Sequence, residues 1–257
     1  MYKISDYIRS GLVFVNNVLR KRHKELTSLM IYSTTACQSR CQHCAIWKKP
    51  VENLSLDDII KLMGSKCVTK RTVVGLEGGE FMLHPEADAI LGWFDENHPN
   101  YTLLSNCLAP DKVIDAVKRH RPTHLYVSLD GNKATYLYMR GRDGYDKVIK
   151  VIEACKDIVP VSLMFCLSPW NSFEDMKHVI DIAKKYNIDV RIGIYNTMSF
   201  FDTTKGLIET ESADFISRIP ASIHQTDENY DFVALYDEWK NKRLNLRCHS
   251  IFSQLVI

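Results

Sequence analysis

No stretch of this 257-residue chain approaches the roughly eighteen consecutive apolar residues that a membrane-crossing helix needs. The apolar segment around Gly11–Val15 is short, is broken by Asn16 and Asn17, and lacks a small-residue cleavage site, so it does not read as a secretory signal. Internal repeats and low-complexity tracts are absent, and no clear linker occurs before about residue 197. Charge of one sign is also missing: 33 Lys and Arg face 31 Asp and Glu, a net of +2. Basic residues 20–24 have no interleaved aromatics, a weak footprint for nucleic acid. With no sign of an oxidising compartment, the 8 cysteines are expected to be reduced thiols in a cytoplasmic protein rather than a disulfide framework. What is present is a chain 46% hydrophobic, enough for one large core in a single α/β domain.

Three of those cysteines carry most of the information. Cys37, Cys41 and Cys44 stand as C-x3-C-x2-C in TACQSRCQHCAIW. Thiolates at this spacing can hold three irons of a [4Fe-4S] cluster and leave the fourth iron without a protein ligand. An open iron can bind and reduce a small molecule, which a fully ligated electron-transfer cluster cannot do. A structural zinc site is the competing reading, with His43 or a distant cysteine as fourth ligand. Zinc knuckles usually pair two C-x2-C units, however, and no second one exists here.

Charge is uneven along the chain. Residues 1–24 carry six Lys and Arg against Asp6, a net of +5, so the remainder carries −3. Ile4, Ile8, Leu12, Val15 and Leu19 recur at helical spacing and predict an amphipathic helix. The plain expectation is that this stripe packs across the end of the core. A weak membrane-surface contact through residues 1–24 is the alternative.

Beyond that segment strands and helices alternate. Strands are expected at Ser28–Ser33, Arg71–Leu76, Tyr101–Leu104, His124–Leu129, Val159–Cys166 and Asp189–Ile194. Helices are expected at Leu54–Met63, Glu86–Asn97, Asp111–His120, Tyr145–Lys156 and Ser172–Tyr186, two of them opened by Ser-x-x-Asp caps at Ser55 and Ser172. Six such alternations argue for parallel strands with crossover helices. Candidate functional residues follow several strands: the cysteine loop after the first, Gly78-Gly79-Glu80 after the second, Ser128 and Asp130 at the fourth. A site fed by many strand ends favours a partial (β/α)6 barrel over an open sheet with one switch point. The expected organisation is a basic amphipathic helix over 1–27, the barrel core over 28–196 and an irregular extension over 197–257. Within the extension, Asp202–Gly206 reads as a loop, Glu209–Arg218 as a helix, Tyr230–Lys242 as an aromatic-rich helix or irregular segment, and Ser253–Ile257 as a strand.

Taken together, these motifs resemble the radical S-adenosylmethionine (SAM) superfamily over roughly residues 28–196. Its cysteine triad is matched by Cys37, Cys41 and Cys44, with His43 in a slot that is usually aromatic. Its GGEP motif appears as Gly78-Gly79-Glu80, with Phe81 in place of proline. Ser105-Asn106-Cys107 takes the place of a TNG motif. Ser128–Gly131 and the YMRGRDGYDKV region look most like the branch holding molybdenum-cofactor synthase and the SPASM peptide maturases. Arg247-Cys248-His249-Ser250 resembles the opening of the maturases' C-terminal cysteine-rich extension, but the cysteines present do not complete an auxiliary cluster.

The resemblance implies an enzyme with two cofactors, a [4Fe-4S] cluster on Cys37, Cys41 and Cys44, and SAM. Reductive cleavage of SAM would yield a 5′-deoxyadenosyl radical that abstracts hydrogen from a substrate. It further implies SAM contacts from the backbone of Gly78 and Gly79, with Glu80 positioning that loop, and from Ser105 and Ser128. Arg140 is the expected partner of the SAM carboxylate, because a guanidinium fork suits that group, and Arg142 is an equally exposed alternative. Cys107 and Cys166, at the ends of strands three and five, are the catalytic candidates, each able to donate a hydrogen atom or act as a base. Glu77, Tyr195 and Asn196 are further cavity candidates, while Cys67 and Cys155 look structural. Partners would be an electron donor such as flavodoxin or ferredoxin and a peptide or protein substrate. A small metabolite or lipid is the second substrate class, and a non-catalytic cluster or zinc protein is the third reading, separable by iron and zinc content.

Overall fold

A computed structural model of the chain describes residues 4–19, 24–195, 243 and 253–257. Asn196, Cys248 and the elements expected between residues 202 and 242 lie outside the described residues. Among the described residues seven parallel strands form one sheet: β1 (Ser28–Tyr32), β2 (Val73–Glu77), β3 (Tyr101–Ser105), β4 (His124–Ser128), β5 (Val161–Leu167), β6 (Asp189–Ile194) and β7 (Gln254–Val256). Their spatial order is β6-β5-β4-β3-β2-β1-β7. Every crossover from β1 to β6 therefore steps in one direction. An open doubly wound sheet would reverse at a switch point, whereas one-way stepping curls the sheet into a partial barrel and gathers all carboxyl strand ends at one mouth. The terminal Ser253–Ile257 segment does form a strand, and it pairs with β1 (Ser28↔Gln254) on the side away from β2.

Side-chain alternation builds the two faces. In β1, Leu29 and Ile31 point outward and are fully buried under the helices. The other set faces the lumen, where the Met30 sulfur lies only 2.4 Å from where a Cβ on Gly75 would stand. The covering helices are α2 (Leu56–Met63), α3 (Ala87–Asn97), α4 (Pro110–His120), α5 (Lys133–Arg140), α6 (Tyr145–Cys155) and α7 (Phe173–Tyr186). Most match the expected spans within one or two residues. Helix α5 was not expected: it has only 8 residues, and its start depends on Asn132, whose side chain accepts from Ala134 N and Thr135 N. Among the described residues no helix is long and apolar enough to cross a membrane, and the seven cysteines there are free thiols.

The N-terminal helix α1 (Ile4–Leu19) forms as expected but presents the other face to the core. Ile8, Leu12, Val15 and Leu19 are exposed, and Val13 and Asn17 are buried instead. Hydrogen bonding decides the orientation. The Asn17 carboxamide donates to Glu25 O at 2.7 Å and accepts from Glu25 N at 2.9 Å, while Arg9 pairs with Glu25 at 3.3 Å. An amide clamp with both its atoms satisfied fixes the helix azimuth more strictly than a nondirectional apolar stripe can.

At the other end of the core, Asp175 joins α7 to the loop after β4. Its carboxylate completes a capping box with Ser172 and accepts from Asn132 N at 3.2 Å and Asn132 Nδ2 at 3.0 Å. Gly131, at φ 147°, leaves room for this: a Cβ there would stand 2.6 Å from Asp175 Oδ1. Replacing Asp175 with Ala removes a cap and leaves buried donors unpaired, a cost of about 2–4 kcal/mol. The thermal midpoint should fall by roughly 5–12 °C. An unchanged midpoint in calorimetry would show that the clamp is dispensable.

Candidate active site

The carboxyl ends of the strands surround a cavity of about 460 Å³. Cys37, Cys41 and Cys44 all lie on its wall, together with Gly78-Gly79-Glu80. Backbone hydrogen bonds hold the cysteine loop on two sides. On one, Gly79 N donates to Thr34 O at 2.7 Å and Glu80 N to Ala36 O at 2.8 Å. On the other, Arg40 N donates to Arg140 O and Gln42 N to Met139 O, both at 2.8 Å. The loop thus spans from the end of β2 to the C-terminus of α5.

Close approach explains both glycines. A Cβ at Gly78, which has φ 143°, would stand 2.5 Å from Thr34 O, and one at Gly79 would stand 2.3 Å from Ala36 O. Glu80 is a tie rather than an open ligand. Its buried carboxylate accepts from Ser105 Oγ at 2.9 Å, Asn106 N at 2.7 Å and Met82 N at 3.3 Å. Ser105 Oγ also accepts from Cys107 N at 3.0 Å, so this hydroxyl serves the β2–β3 junction.

The three thiols are chemically unusual. Burial pushes Cys37 up to about 12 and raises Cys41 and Cys44 as well, an effect that the Arg140 guanidinium opposes at Cys41 and Cys44 without cancelling it. Three adjacent buried thiolates need positive charge to persist, which a metal centre supplies. Among the described residues no three His, Cys, Asp or Glu side chains converge on a single ion position. Three thiols that share one wall suit a polynuclear group, which takes several sulfur ligands. Burial also drives His43 down to about 4, so it is neutral, and its Nδ1 lacks a hydrogen-bond partner.

Among the described residues Arg140 is the one guanidinium lining this cavity, and it is only 8% exposed. Its Nη2 pairs with Asp130 Oδ2 at 2.5 Å and its Nη1 donates to Cys41 Sγ at 3.7 Å. Burial alone would lower its pKa, but the Asp130 carboxylate and the Cys41 sulfur hold it above the ordinary arginine value. Arg142 is not equivalent: it is exposed and donates to Gln38 O at 3.0 Å. Ser128, Cys166 and Tyr195 also reach the cavity wall. Cys107 is fully buried within the apolar core, at φ 59°, and is not on that wall.

Sequence reasoning did not single out Asn106, Tyr32 or Trp47, all on the cavity wall. Asn106 Nδ2 lies 3.7 Å from Cys37 Sγ and its Oδ1 accepts from Leu108 N at 3.0 Å. Its signal was its place between Ser105 and Cys107 at a strand end. Tyr32 closes β1, immediately before the cysteine loop, and was passed over as a strand residue.

A partial barrel with a cysteine triad and a glycine pair at its mouth defines a class of protein. The chain belongs to the Radical SAM superfamily, whose family model matches residues 31–182. It is therefore an enzyme of that superfamily, whose cofactors are a [4Fe-4S] cluster and SAM. Among particular relatives, it is 25% identical over 180 residues to "Molybdenum cofactor biosynthesis protein moc-5" of Caenorhabditis elegans, covering 65% of this chain and 30% of that protein. Streptococcus suis SuiB bound to S-adenosylmethionine superposes with a TM-score of 0.64 at 16% identity, over 100% of this chain and 57% of that one. SuiB bound to its precursor peptide SuiA gives 0.63 at 15% identity, over 100% and 55%. At such identities the structural likeness concerns the fold. The chain spans less than two thirds of the length of each of these relatives.

Gly79→Ala should force the cysteine loop away from β2 and weaken cluster retention by roughly 10–100-fold, the range seen when support for metal ligands is lost. Gly92→Ala is the control, because a Cβ there meets nothing within 4 Å. Iron per chain after anaerobic reconstitution and desalting reads the difference. Equal iron in both variants would show that the glycine contact does not position the ligands.

Proposed function

We propose that this chain cleaves SAM reductively and uses the resulting radical to take a hydrogen atom from a peptide or protein side chain. The carrying observation is the set of three cysteine thiols on the wall of a cavity of about 460 Å³. When bound, the reduced cluster would supply one electron to the sulfonium of SAM, whose C5′–S bond would break to give methionine and a 5′-deoxyadenosyl radical. The protein's task is to bind, orient and exclude water.

Cys37, Cys41 and Cys44 hold the cluster, and the Asp130-backed guanidinium of Arg140 offsets charge at Cys41. Gly78 and Gly79 carbonyls receive the SAM ammonium, a close approach that their lack of side chains permits. Glu80 and Ser105 keep this loop in register. The Ser128 hydroxyl and the Nε edge of Arg140, which has no hydrogen-bond partner, are available to ribose and carboxylate. Cys166 is the thiol placed to meet a substrate radical. Cys107 loses that role, because its thiol is in the core. A flavodoxin or ferredoxin is the electron donor of this reading, and the cytoplasm its setting.

The peptide class is supported by the SuiB fold, one of whose structures holds a precursor peptide. A small-metabolite substrate is the second reading, favoured by the likeness to a molybdenum-cofactor biosynthesis protein.

The test is 5′-deoxyadenosine formation by reconstituted, dithionite-reduced protein with SAM. Losing even a hydrogen-bond partner of a metal ligand costs about 10–100-fold in metal affinity or activity. Cys41→Ala should therefore reduce product by more than about 100-fold while leaving far-ultraviolet circular dichroism unchanged. Product at the wild-type rate from Cys41→Ala, or none from cluster-loaded wild type, would overturn the reading.

A further inference from the structure

Two glutamates stand three residues apart at the end of β2, and their surroundings differ. Glu80 is saturated by a hydroxyl and two backbone N–H groups. Glu77 is the last residue of β2, in register with Tyr32 of β1, and both line the cavity. Its side chain lies over the lumen face: a Cβ on Gly75, two residues back, would stand 3.3 Å from Glu77 Oε1. The Tyr32 hydroxyl hydrogen-bonds this carboxylate. Among the described residues no Lys, Arg or His forms an ion pair with it.

A largely buried carboxylate with one hydroxyl partner is costly to maintain. Arg140, the guanidinium on the same cavity wall, is already engaged by Asp130 and Cys41. Burial raises the carboxyl pKa of Glu77, with Tyr32 opposing the shift. An incoming cation would reverse that penalty, since an opposite charge within a few ångströms favours the ionised form. The rest of the wall suits the same guest. Tyr32 and Tyr195 supply aromatic surface on the same wall, where Trp170 meets Tyr195 edge-on at 5.1 Å, while the Trp47 ring already carries Arg40 and Lys48. Aromatic faces beside an acid make a site that prefers an alkylammonium or guanidinium to a neutral chain of equal length.

We propose that Glu77, hydrogen-bonded by Tyr32, is the receptor for a cationic substrate group, so that the enzyme takes a substrate bearing a primary amine or guanidinium. This rests on the cavity being the active site of a SAM-cleaving enzyme, as proposed above. It assigns Glu77 to the substrate rather than to the SAM ammonium.

The experiment uses the anaerobically reconstituted, cluster-loaded full chain with saturating SAM. Two probes differ only at the end of the side chain: N-acetyl-L-lysine amide and N-acetyl-L-norleucine amide. Binding is measured by equilibrium dialysis, and SAM affinity separately. A charge-assisted contact is worth about 1.5–3 kcal/mol, so the lysine probe should bind at least about tenfold more tightly. Glu77→Gln should reduce that preference to within about twofold, and Glu77→Asp should restore most of it, with SAM affinity held in both. Equal binding of the two probes by wild type, a comparison that needs no variant, would overturn the proposal and leave SAM cleavage standing. So would a Glu77→Gln variant that keeps the lysine preference but loses SAM affinity. Failure of cluster-loaded wild type to bind SAM would instead remove the functional reading, and this inference with it.

Discussion

The geometry of the cavity depends on one ion pair, between Asp130 and Arg140. Arg140 is the last residue of α5 and Asp130 follows β4, so their 2.5 Å contact fixes a helix end against a strand end. Neither group could be buried alone, since an unpaired interior charge costs several kcal/mol. Both partners also do further work. Asp130 Oδ1 accepts from Cys166 N at 3.0 Å and so ties in β5. Arg140 reaches Cys41 Sγ with its side chain, and its carbonyl accepts from Arg40 N within the cysteine loop. Gly141 caps the helix at φ 61° because a Cβ there would stand 3.0 Å from the Arg40 carbonyl oxygen. Asp175 steadies the same assembly from outside, through Gly131 and Asn132. The pair is therefore better understood as a register pin than as a source of stability.

Charge on the cavity wall follows from that arrangement. Cys37, Cys41, Cys44, Glu77 and Glu80 are acidic groups, and Arg140 is the guanidinium among them. Each acid is kept tolerable in a different way. Glu80 is saturated by hydrogen bonds, and the thiols stay protonated until a metal centre compensates them. Glu77 is held, among the described residues, by the Tyr32 hydroxyl. An acidic wall is suited to irons, to a sulfonium and to an amine, and it would repel a phosphate-rich or carboxylate-rich guest.

Much of this was readable in the chain, and the rest fails for identifiable reasons. Strands β1 to β6 were legible because short apolar runs alternate with capped amphipathic helices. The gathering of Cys37, Cys41 and Cys44 on one wall was legible because their local spacing suffices to place them in one loop. Helix α5 was not, because its three buried residues, Tyr136, Met139 and Arg140, are specified by what packs on them rather than by a long periodic pattern. The orientation of α1 was misjudged because the stripe Ile8–Leu12–Val15–Leu19 outnumbers the single Asn17 that anchors the opposite face. Tyr32 and Glu77 meet only through the parallel register of β1 and β2, which no local window contains. Residues 71–76 predicted the second strand, which runs one residue further, to Glu77, a position the sequence had offered as a cavity candidate.

Cys107 and Cys166 show how little separates two identical signals. Each is a cysteine near the carboxyl end of a parallel strand, and burial raises the pKa of each. At Cys107 the chain has already left β3 and turned through φ 59°, a left-handed conformation supported by the Ser105 hydroxyl on its N–H. That turn sends the thiol outward, into the layer between sheet and helices. Cys166 is still inside β5, its backbone held by Asp130, and strand alternation keeps its side chain in the lumen. Two residues past a strand end are enough to exchange the cavity for the core. For thiol chemistry in a barrel, backbone conformation at the mouth therefore matters as much as which strand carries the cysteine.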